Sequence, residues 1–159
     1  MMKSIIPGLV FLFFSSLALA QVKVYKGTSS YSSDVICNVK DGKVFKKNST
    51  YSSDILCNVS GSRIFKGNSS YSSDVIYTVK DGKVYTGNSS YTSDIEFTIK
   101  DGKIYKGTSS YTSDIIANID DGNIYHGNSS YTSDIEFNVD GKLTIEEFVA
   151  VWYAVKYYY

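Results

Sequence analysis

Tyrosines with a fixed spacing are the residues of this sequence best suited to bind a ligand. One recurs every 20 residues in polar segments such as Gly-Asn-Ser-Ser-Tyr-Thr-Ser-Asp, at Tyr31, Tyr51, Tyr71, Tyr91, Tyr111 and Tyr131. An exposed aromatic ring beside hydroxyl and carboxylate groups can stack on a sugar ring and hydrogen-bond its hydroxyls. The favoured alternative is that each tyrosine packs on the next repeat. A second aromatic series has the same period: Tyr25, Phe45, Phe65, Tyr85, Tyr105 and Tyr125.

Calcium binding is the alternative function that the last repeat suggests. Four side chains with oxygen ligands fall at positions 1, 3, 5 and 12 of an EF-hand-like loop over 136–147: Glu136, Asn138, Asp140 and Glu147. The first position is normally Asp, and the segment that should form the entering helix is a strand in the other repeats. Glu147 also completes a capping box with Thr144. We therefore predict that folding does not depend on calcium.

No group of residues in the sequence is arranged as a catalytic centre. His126 is the only histidine, and it occupies a position that holds Lys or Thr in the other repeats, which is typical of an exposed site. Acid–base catalysis by this imidazole requires an oriented partner. We expect a protein that is not an enzyme and has no cofactor, calcium being the alternative.

Cys37 and Cys57 occupy the same position in adjacent repeats. Two strands separated by a third lie about 9–10 Å apart in a flat sheet, which is too far for a disulfide. Near the axis of a ring they can lie closer, and an exported protein can form disulfides. The pair is either a disulfide or two small buried hydrophobic residues.

These residues lie on a repeat that begins at Lys23 and returns every 20 residues without insertions, which indicates a repeat architecture. In each unit two β-branched and aromatic runs flank a turn, usually Asp-Gly, the signal of a type I′ hairpin. Centring one turn on Asp81-Gly82 pairs Val79 with Val84 and Thr78 with Tyr85. The polar linkers between hairpins are expected to be fixed by acidic residues that brace their turns: Asp34, Asp54, Asp74, Asp94, Asp114 and Asp134.

Strand alternation predicts which side of each hairpin is buried. Val75, Tyr77, Val79 and Val84 share one face, and the equivalent positions stay largely apolar in the other repeats. Ile76 falls on the opposite face, where its position becomes Glu in two repeats. Because a carboxylate is rarely buried without a partner, we predict that the first face forms the core.

The two ends of the repeat region predict a closed ring. The first strand, Val22–Lys26, lacks a preceding partner, and the last strand segment, Asp134–Val139, lacks a complete following one. Pairing them closes six hairpins and removes exposed sheet edges. We predict an all-β, pseudo-symmetric ring of about six short hairpins with a C-terminal α-helix. An open hairpin solenoid is the alternative.

The chain is expected to contain three parts. Residues 1–20 have the charge, apolar segment and small residues of a signal peptide cleaved after Ala20, so the mature chain is expected to be secreted or periplasmic and not to span a membrane. Residues 21–143 form the hairpin repeats. Residues 144–159 form a helix that packs on the same domain, across one end of the ring. The whole chain carries 16 basic and 16 acidic side chains without a basic cluster, which argues against nucleic-acid binding.

The repeat motif Tyr-x-Gly-Asn-Ser-Ser-Tyr-Thr-Ser-Asp, the Asp-Gly hairpins and the closing Leu-Thr-Ile-Glu-Glu-Phe-Val-Ala-Val-Trp-Tyr resemble the small exported bacterial proteins called β-flowers. In those proteins hairpin petals surround a pseudo-symmetry axis. Members with four or five petals are described, whereas this sequence has six repeats. The resemblance implies an architecture and brings no established activity. We expect a non-catalytic exported structural or binding module whose partner is a cell-surface glycan or a protein.

Overall fold

The computed structural model describes residues 21–159, so the predicted signal peptide lies outside the described residues. Twelve strands and one helix follow one another in chain order. They are β1 (Val22–Lys26), β2 (Val35–Lys40), β3 (Lys43–Lys46), β4 (Ile55–Ser60), β5 (Arg63–Lys66), β6 (Val75–Lys80), β7 (Lys83–Thr86), β8 (Ile95–Lys100), β9 (Lys103–Lys106), β10 (Ile115–Asp120), β11 (Asn123–His126), β12 (Ile135–Asp140) and α1 (Ile145–Tyr158). A short 3-10 turn precedes β2, β4, β6, β8, β10 and β12.

The hairpins have the predicted register. Val79 pairs with Val84 and Thr78 pairs with Tyr85 across the turn between β6 and β7. Asp81 and Gly82 have φ values of 51° and 74°, as a type I′ turn requires. The carbonyl of Gly82 also accepts a hydrogen bond from the amide of Ile99 in the following hairpin. Each hairpin turn is therefore tied to its neighbour as well as closed on itself.

The predicted ring closure is confirmed. The twelve strands form a closed antiparallel barrel in which β1 pairs with β12, with Val24 opposite Val139 and Lys26 opposite Phe137. The alternative of an open solenoid is wrong. Closure gives every strand of residues 21–159 a hydrogen-bonded neighbour on both sides, so this sheet has no unpaired edge.

A β-bulge in each repeat corrects the predicted burial of one position. Where the second strand of one hairpin meets the next hairpin, the register shifts by one residue: Val24 pairs with Cys37, but Tyr25 pairs with Val35. The intervening Ile36 is consequently turned inward, beside Cys37, and joins the core cluster. Val35 is buried but lies outside that cluster. The prediction that the Ile76 position faces away from the core is therefore wrong, because a bulge interrupts simple alternation. The Val75 position is buried as predicted, although outside the main cluster.

Helix α1 lies inside the barrel rather than across one end. Val149, Ala150, Val151 and Trp152 are consecutive and all buried, so more than one side of the helix faces protein. All four belong to the same core cluster as the inward-facing strand residues. A barrel of twelve strands is wider than one that its own side chains can fill. The helix supplies the missing apolar volume.

The helix lies closer to one side of the barrel than to the other. This explains why side-chain size varies between repeats at the inward position that holds Cys37. Its backbone lies against β2 to β5, where the inward residues include Cys37 and Cys57. On the far side Trp152 contacts the rings of Phe97 and Phe137, at centroid distances of 6.1 and 6.4 Å. Ala117, at the equivalent position between those two, leaves room for the indole. Side-chain size around the ring therefore follows the distance to the helix.

A second buried layer lies between the strands and the linkers. Asn38 faces outward on β2, and its amide donates hydrogen bonds to the carbonyls of Lys47 and Ser49 in the linker, both at 2.8 Å. This holds the linker over Phe45, which pairs with Asn38 and is buried. The outward aromatic residues of the other hairpins are buried or half-buried in the same way.

Candidate functional site

Each linker is fixed by a short relay of hydrogen bonds that ends at the predicted acidic residue. In the linker before β8, the Tyr91 amide donates to the Ser89 hydroxyl, and that hydroxyl donates to the Asp94 carboxylate at 2.5 Å. The amide of Asp94 in turn donates to the Tyr91 carbonyl at 2.9 Å. The same contacts occur in all six linkers. The prediction that these aspartates brace the turns is confirmed.

A residue with positive φ starts each linker. Gly87 has a φ of 63°, and Lys47, the one residue that replaces glycine at this position, still adopts a φ of 51°. Left-handed backbone is costly for a lysine. Its presence here shows that the surrounding hydrogen bonds fix the linker shape even without glycine.

The six linker tyrosines project into solvent. Their exposed fractions lie between 73% and 75%, and they belong to Tyr31, Tyr51, Tyr71, Tyr91, Tyr111 and Tyr131. The prediction that they pack on the next repeat is therefore wrong. The aromatic residues that do bind the layers together are those of the second series, of which Tyr105 is half-buried and the other five are buried. In residues 21–159 the linker tyrosines form the accessible aromatic array that follows the repeat, and Tyr157, Tyr158 and Tyr159 are exposed separately at the helix end.

The surroundings of each linker tyrosine are polar. Tyr91 stands between the exposed side chains of Ser90 and Thr92, with Ser93 next to them. A flat ring bordered by hydroxyl groups can contact the apolar face of a sugar while its neighbours hydrogen-bond the sugar hydroxyls. The closed ring presents six such surfaces around one end of the barrel.

A cleft of about 680 Å³ opens at the same end of the barrel, where the helix terminates. Its lining combines aromatic and charged side chains, among them Tyr77, Glu96, Lys106, Trp152, Lys156 and Tyr157. This volume falls within the range of small-molecule sites. The cleft breaks the repeat symmetry because the helix fills the opposite side of the barrel.

An ion cluster forms one wall of this cleft. The carboxylate of Glu136 contacts Nδ1 of His126 at 2.8 Å and Nζ of Lys156 at 2.5 Å. The same Nζ lies 4.7 Å from the centroid of the Trp152 ring, within cation–π distance. Burial alone would raise the pKa of Glu136, but the hydrogen bonds from Lys156 and His126 outweigh it and hold that pKa below its ordinary value.

The residues of the EF-hand-like loop are separated by the fold. Glu136 lies within β12 and is paired as above, and the Asn138 amide donates to the carbonyls of Gly27 and Ser29. Glu147 completes a capping box at the start of α1 with Thr144. Among residues 21–159 no three His, Cys, Asp or Glu side chains are grouped so as to hold a metal ion. The loop therefore does not have EF-hand geometry.

Cys37 and Cys57 are free, buried thiols. The Sγ of Cys57 lies 3.5 Å from the carbonyl oxygen of Ala150 in the helix, and burial raises the pKa of Cys37 to about 12. In the structure they serve as small residues beneath the helix and are not joined as a disulfide.

We call the group formed by His126, Glu136, Lys156 and Trp152 the mouth cluster. The sequence contains a signal for it that simple motif comparison does not detect. In four repeats the second strand of the hairpin ends in Lys, and the residue ten positions later is Ile or Leu. In the other two repeats Thr86 is followed at that distance by Glu96, and His126 by Glu136. Each exceptional pair is in contact, Thr86 with Glu96 at 3.3 Å and His126 with Glu136 at 2.8 Å. Trp152 and Lys156 join this site only because α1 enters the barrel.

Comparison with known proteins identifies the architecture. A family model described as "6-fold beta flower protein" matches residues 24–152. No curated protein and no solved structure matches the chain. In the described residues no helix has the length and apolar character needed to cross a membrane. With five hairpins and the closing β1–β12 pair arranged in one ring, and a family match that covers most of its length, the chain belongs to the six-fold beta-flower family.

Proposed function

We propose that this protein is a non-catalytic module that binds a sugar-rich polymer through its six linker tyrosines. The observation that carries the proposal is their equal exposure, between 73% and 75%, on linkers of the same geometry. Nothing in the fold requires these rings, because they contribute little to the buried core. A structural role would bury them, as the second aromatic series is buried between the strands and the linkers.

A polymeric ligand fits this arrangement better than a single compact one. Each tyrosine forms a small, separate surface, so its individual affinity is expected to be low. Joining several such contacts along one chain can raise the apparent affinity by about 10²–10⁴-fold without a new type of contact. The hydrogen-bonded linkers are also ordered before binding, which reduces the entropy lost on association.

A polysaccharide is favoured over a protein surface by the surroundings of the rings. Protein hot spots are aromatic residues set in a dry, well-packed interface. Here each ring is bordered by serine and threonine hydroxyls, which match the hydroxyl groups of a sugar. The signal peptide expected at residues 1–20 would carry the module to the cell surface, where such polymers occur.

The test is affinity electrophoresis through gels that contain soluble cell-surface polysaccharides. We expect at least one polysaccharide to retard the wild-type protein and to retard a Tyr91→Ala/Tyr111→Ala variant less. Tyr158→Ala/Tyr159→Ala is the matched control, because it removes two exposed tyrosines from the helix end and none from the linkers. Equal retardation of the two double variants would contradict the proposal.

A further inference from the structure

The barrel mouth carries two carboxylates in equivalent ring positions, of which Glu96 lines the cleft and Glu136 lies beside it, against Lys156. Four repeats place an aliphatic side chain at the bulged inward position, and two place Glu96 and Glu136 there. Both lie on the side of the mouth that the helix leaves open, over the aromatic interior. A charge at this position is not needed to build the hairpin, since four other hairpins form without it.

The molecule itself shows how one of these carboxylates is used. Glu136 binds the ammonium group of Lys156 at 2.5 Å, and the same ammonium lies over the Trp152 ring. His126 completes the contacts of this carboxylate. The pair of a carboxylate and an aromatic face is an established way to bind an organic cation.

Glu96 occupies the equivalent position, is more exposed than Glu136, and has no such partner in the described part of the chain. Its carboxylate accepts a hydrogen bond from Thr86 at 3.3 Å, and no basic side chain of residues 21–159 forms an ion pair with it. Tyr77 and Tyr157 line the same cleft as Glu96. The pKa of Tyr77 is raised, first by burial and then by the Tyr157 hydroxyl and the Glu96 carboxylate. Trp152 and Phe97 complete the aromatic lining.

We propose that the mouth cleft binds a small organic ammonium ligand, with its cationic group at Glu96 and its apolar body against Tyr77, Tyr157 and Trp152. The cleft volume of about 680 Å³ is ample for such a molecule. Of the other cations facing the cleft, Lys156 is neutralised by Glu136, whereas Lys106 is exposed on the rim and is available to an anionic or hydroxyl group of the ligand. This inference rests on the cleft and does not depend on polysaccharide binding by the linkers.

The single tryptophan of the chain lies in this cleft and reports on its occupancy. We expect 2-phenylethylammonium to change the fluorescence of Trp152 in a saturable way, and the neutral analogue 2-phenylethanol to bind at least about tenfold more weakly. The ion pair with Glu96 is available only to the ammonium compound, and a tenfold difference in affinity corresponds to about 1.4 kcal/mol. Equal affinity for the two compounds, or no saturable change with the ammonium compound, would overturn the proposal.

Variants at the two equivalent positions locate the site. Glu96→Gln is expected to weaken 2-phenylethylammonium binding about tenfold, and Glu96→Ile to abolish it while restoring the residue that most other repeats contain. Asp120→Asn, which removes the same charge from a strand end, is expected to retain binding. Glu136→Gln leaves Lys156 without its carboxylate and is expected to weaken binding less than Glu96→Gln does. Melting curves confirm that each variant is folded. Loss of binding in Glu136→Gln with retention in Glu96→Gln would show that the ammonium displaces Lys156, and would overturn the assignment to Glu96.

Discussion

The hydrogen bond from Ser89 to Asp94, with its equivalents in the other linkers, holds the exposed tyrosines in place. The carboxylate accepts from the hydroxyl, and that hydroxyl accepts from the tyrosine amide. Serine, tyrosine and aspartate therefore act as one unit, which explains why they recur together in every repeat. The ring takes no part in these hydrogen bonds and is exposed, so it is free to contact a ligand.

This unit predicts a loss of stability in acid. Hydrogen bonds from Ser89 and Ser93 hold the pKa of Asp94 below its ordinary value, and bonds from Ser129 and Ser133 do so for Asp134. A carboxylate whose pKa is lower in the folded state stabilises the fold above its unfolded pKa of about 3.9, and this stabilisation is lost as the pH falls through the lower folded value. We expect the urea midpoint to fall between pH 7 and pH 3.

The contribution of Asp94 is isolated by comparing two variants. On acidification the urea midpoint of Asp94→Asn is expected to fall less than that of the wild type. The variant lacks one of the carboxylates whose protonation destabilises the fold. Asp120→Asn, which carries the same change at a strand end, is expected to behave as the wild type does. An equal acid sensitivity of Asp94→Asn and the wild type would be inconsistent with this role.

One inward-facing position of the repeat holds Cys57 in one unit and Tyr77 in the next. We predict that phenylalanine is tolerated at position 77 but not at position 57. Phenylalanine occupies this position in two repeats, at Phe97 and Phe137. At Cys57, however, the Ala150 carbonyl lies only 3.5 Å from the sulfur, so a ring does not fit. Cys57→Phe should lower the free energy of unfolding by about 1–3 kcal/mol or more. Tyr77→Phe keeps the ring and should cost no more than about 1.5 kcal/mol.

Urea unfolding of the two variants provides the comparison. A Cys57→Phe protein as stable as Tyr77→Phe would mean that the helix does not pack against β4 as described. Both changes place phenylalanine at equivalent positions, so a larger loss at Cys57 reflects the added ring meeting the helix at that position.

At the scale of elements, the hairpins and the helix start were predictable because local residues determine them. Asp81-Gly82 specifies its turn, and Thr144 with Glu147 specifies the helix cap. The bulge at Ile36 was not predictable from alternation, because it arises where separate hairpins must meet at a curved barrel wall. The path of the helix through the barrel depends on the width of the ring, which is a property of all six hairpins together.

The candidate sites, too, were predictable only where local sequence determines them. The linker tyrosines and their aspartates were recognisable from their period, but whether the rings were exposed depended on the fold. The mouth cluster joins Glu136 to Lys156, which belong to a strand and to the helix that enters the barrel. Its aromatic partner, Trp152, was predicted to be helical but not to face that cleft. Contacts between elements of this kind require the tertiary arrangement.

The state of the 136–147 segment predicts that calcium does not affect stability. The Glu147 carboxylate already accepts a hydrogen bond from the Thr144 amide at 3.0 Å, and Glu136 is held by Lys156. We expect the same melting temperature with calcium and with a chelator. Glutamine can also complete a capping box, so Glu147→Gln should retain the fold and be equally insensitive to calcium. A large rise with calcium that disappears in Glu147→Gln would establish a calcium site.

At the scale of the whole molecule, closure of the ring makes the six linkers equivalent. An open stack would have two terminal repeats with different neighbours, whereas pairing of β1 with β12 gives every hairpin two neighbours. The nearly equal exposure of the six tyrosines is a direct consequence. The helix stabilises this arrangement from inside while leaving the outer surfaces of all six linkers unobstructed.

The account is tested most directly by measuring how apparent affinity for a retarding polysaccharide depends on the number of linker tyrosines. Wild-type protein is compared with variants in which Tyr71, then Tyr91, then Tyr111 are changed to Ala, each checked for its melting temperature. We predict a stepwise fall in affinity with each change and an intact fold throughout, because the contacts are equivalent and act together. Unchanged affinity in the triple variant, complete loss at the first change, or unfolding of these variants would contradict the account.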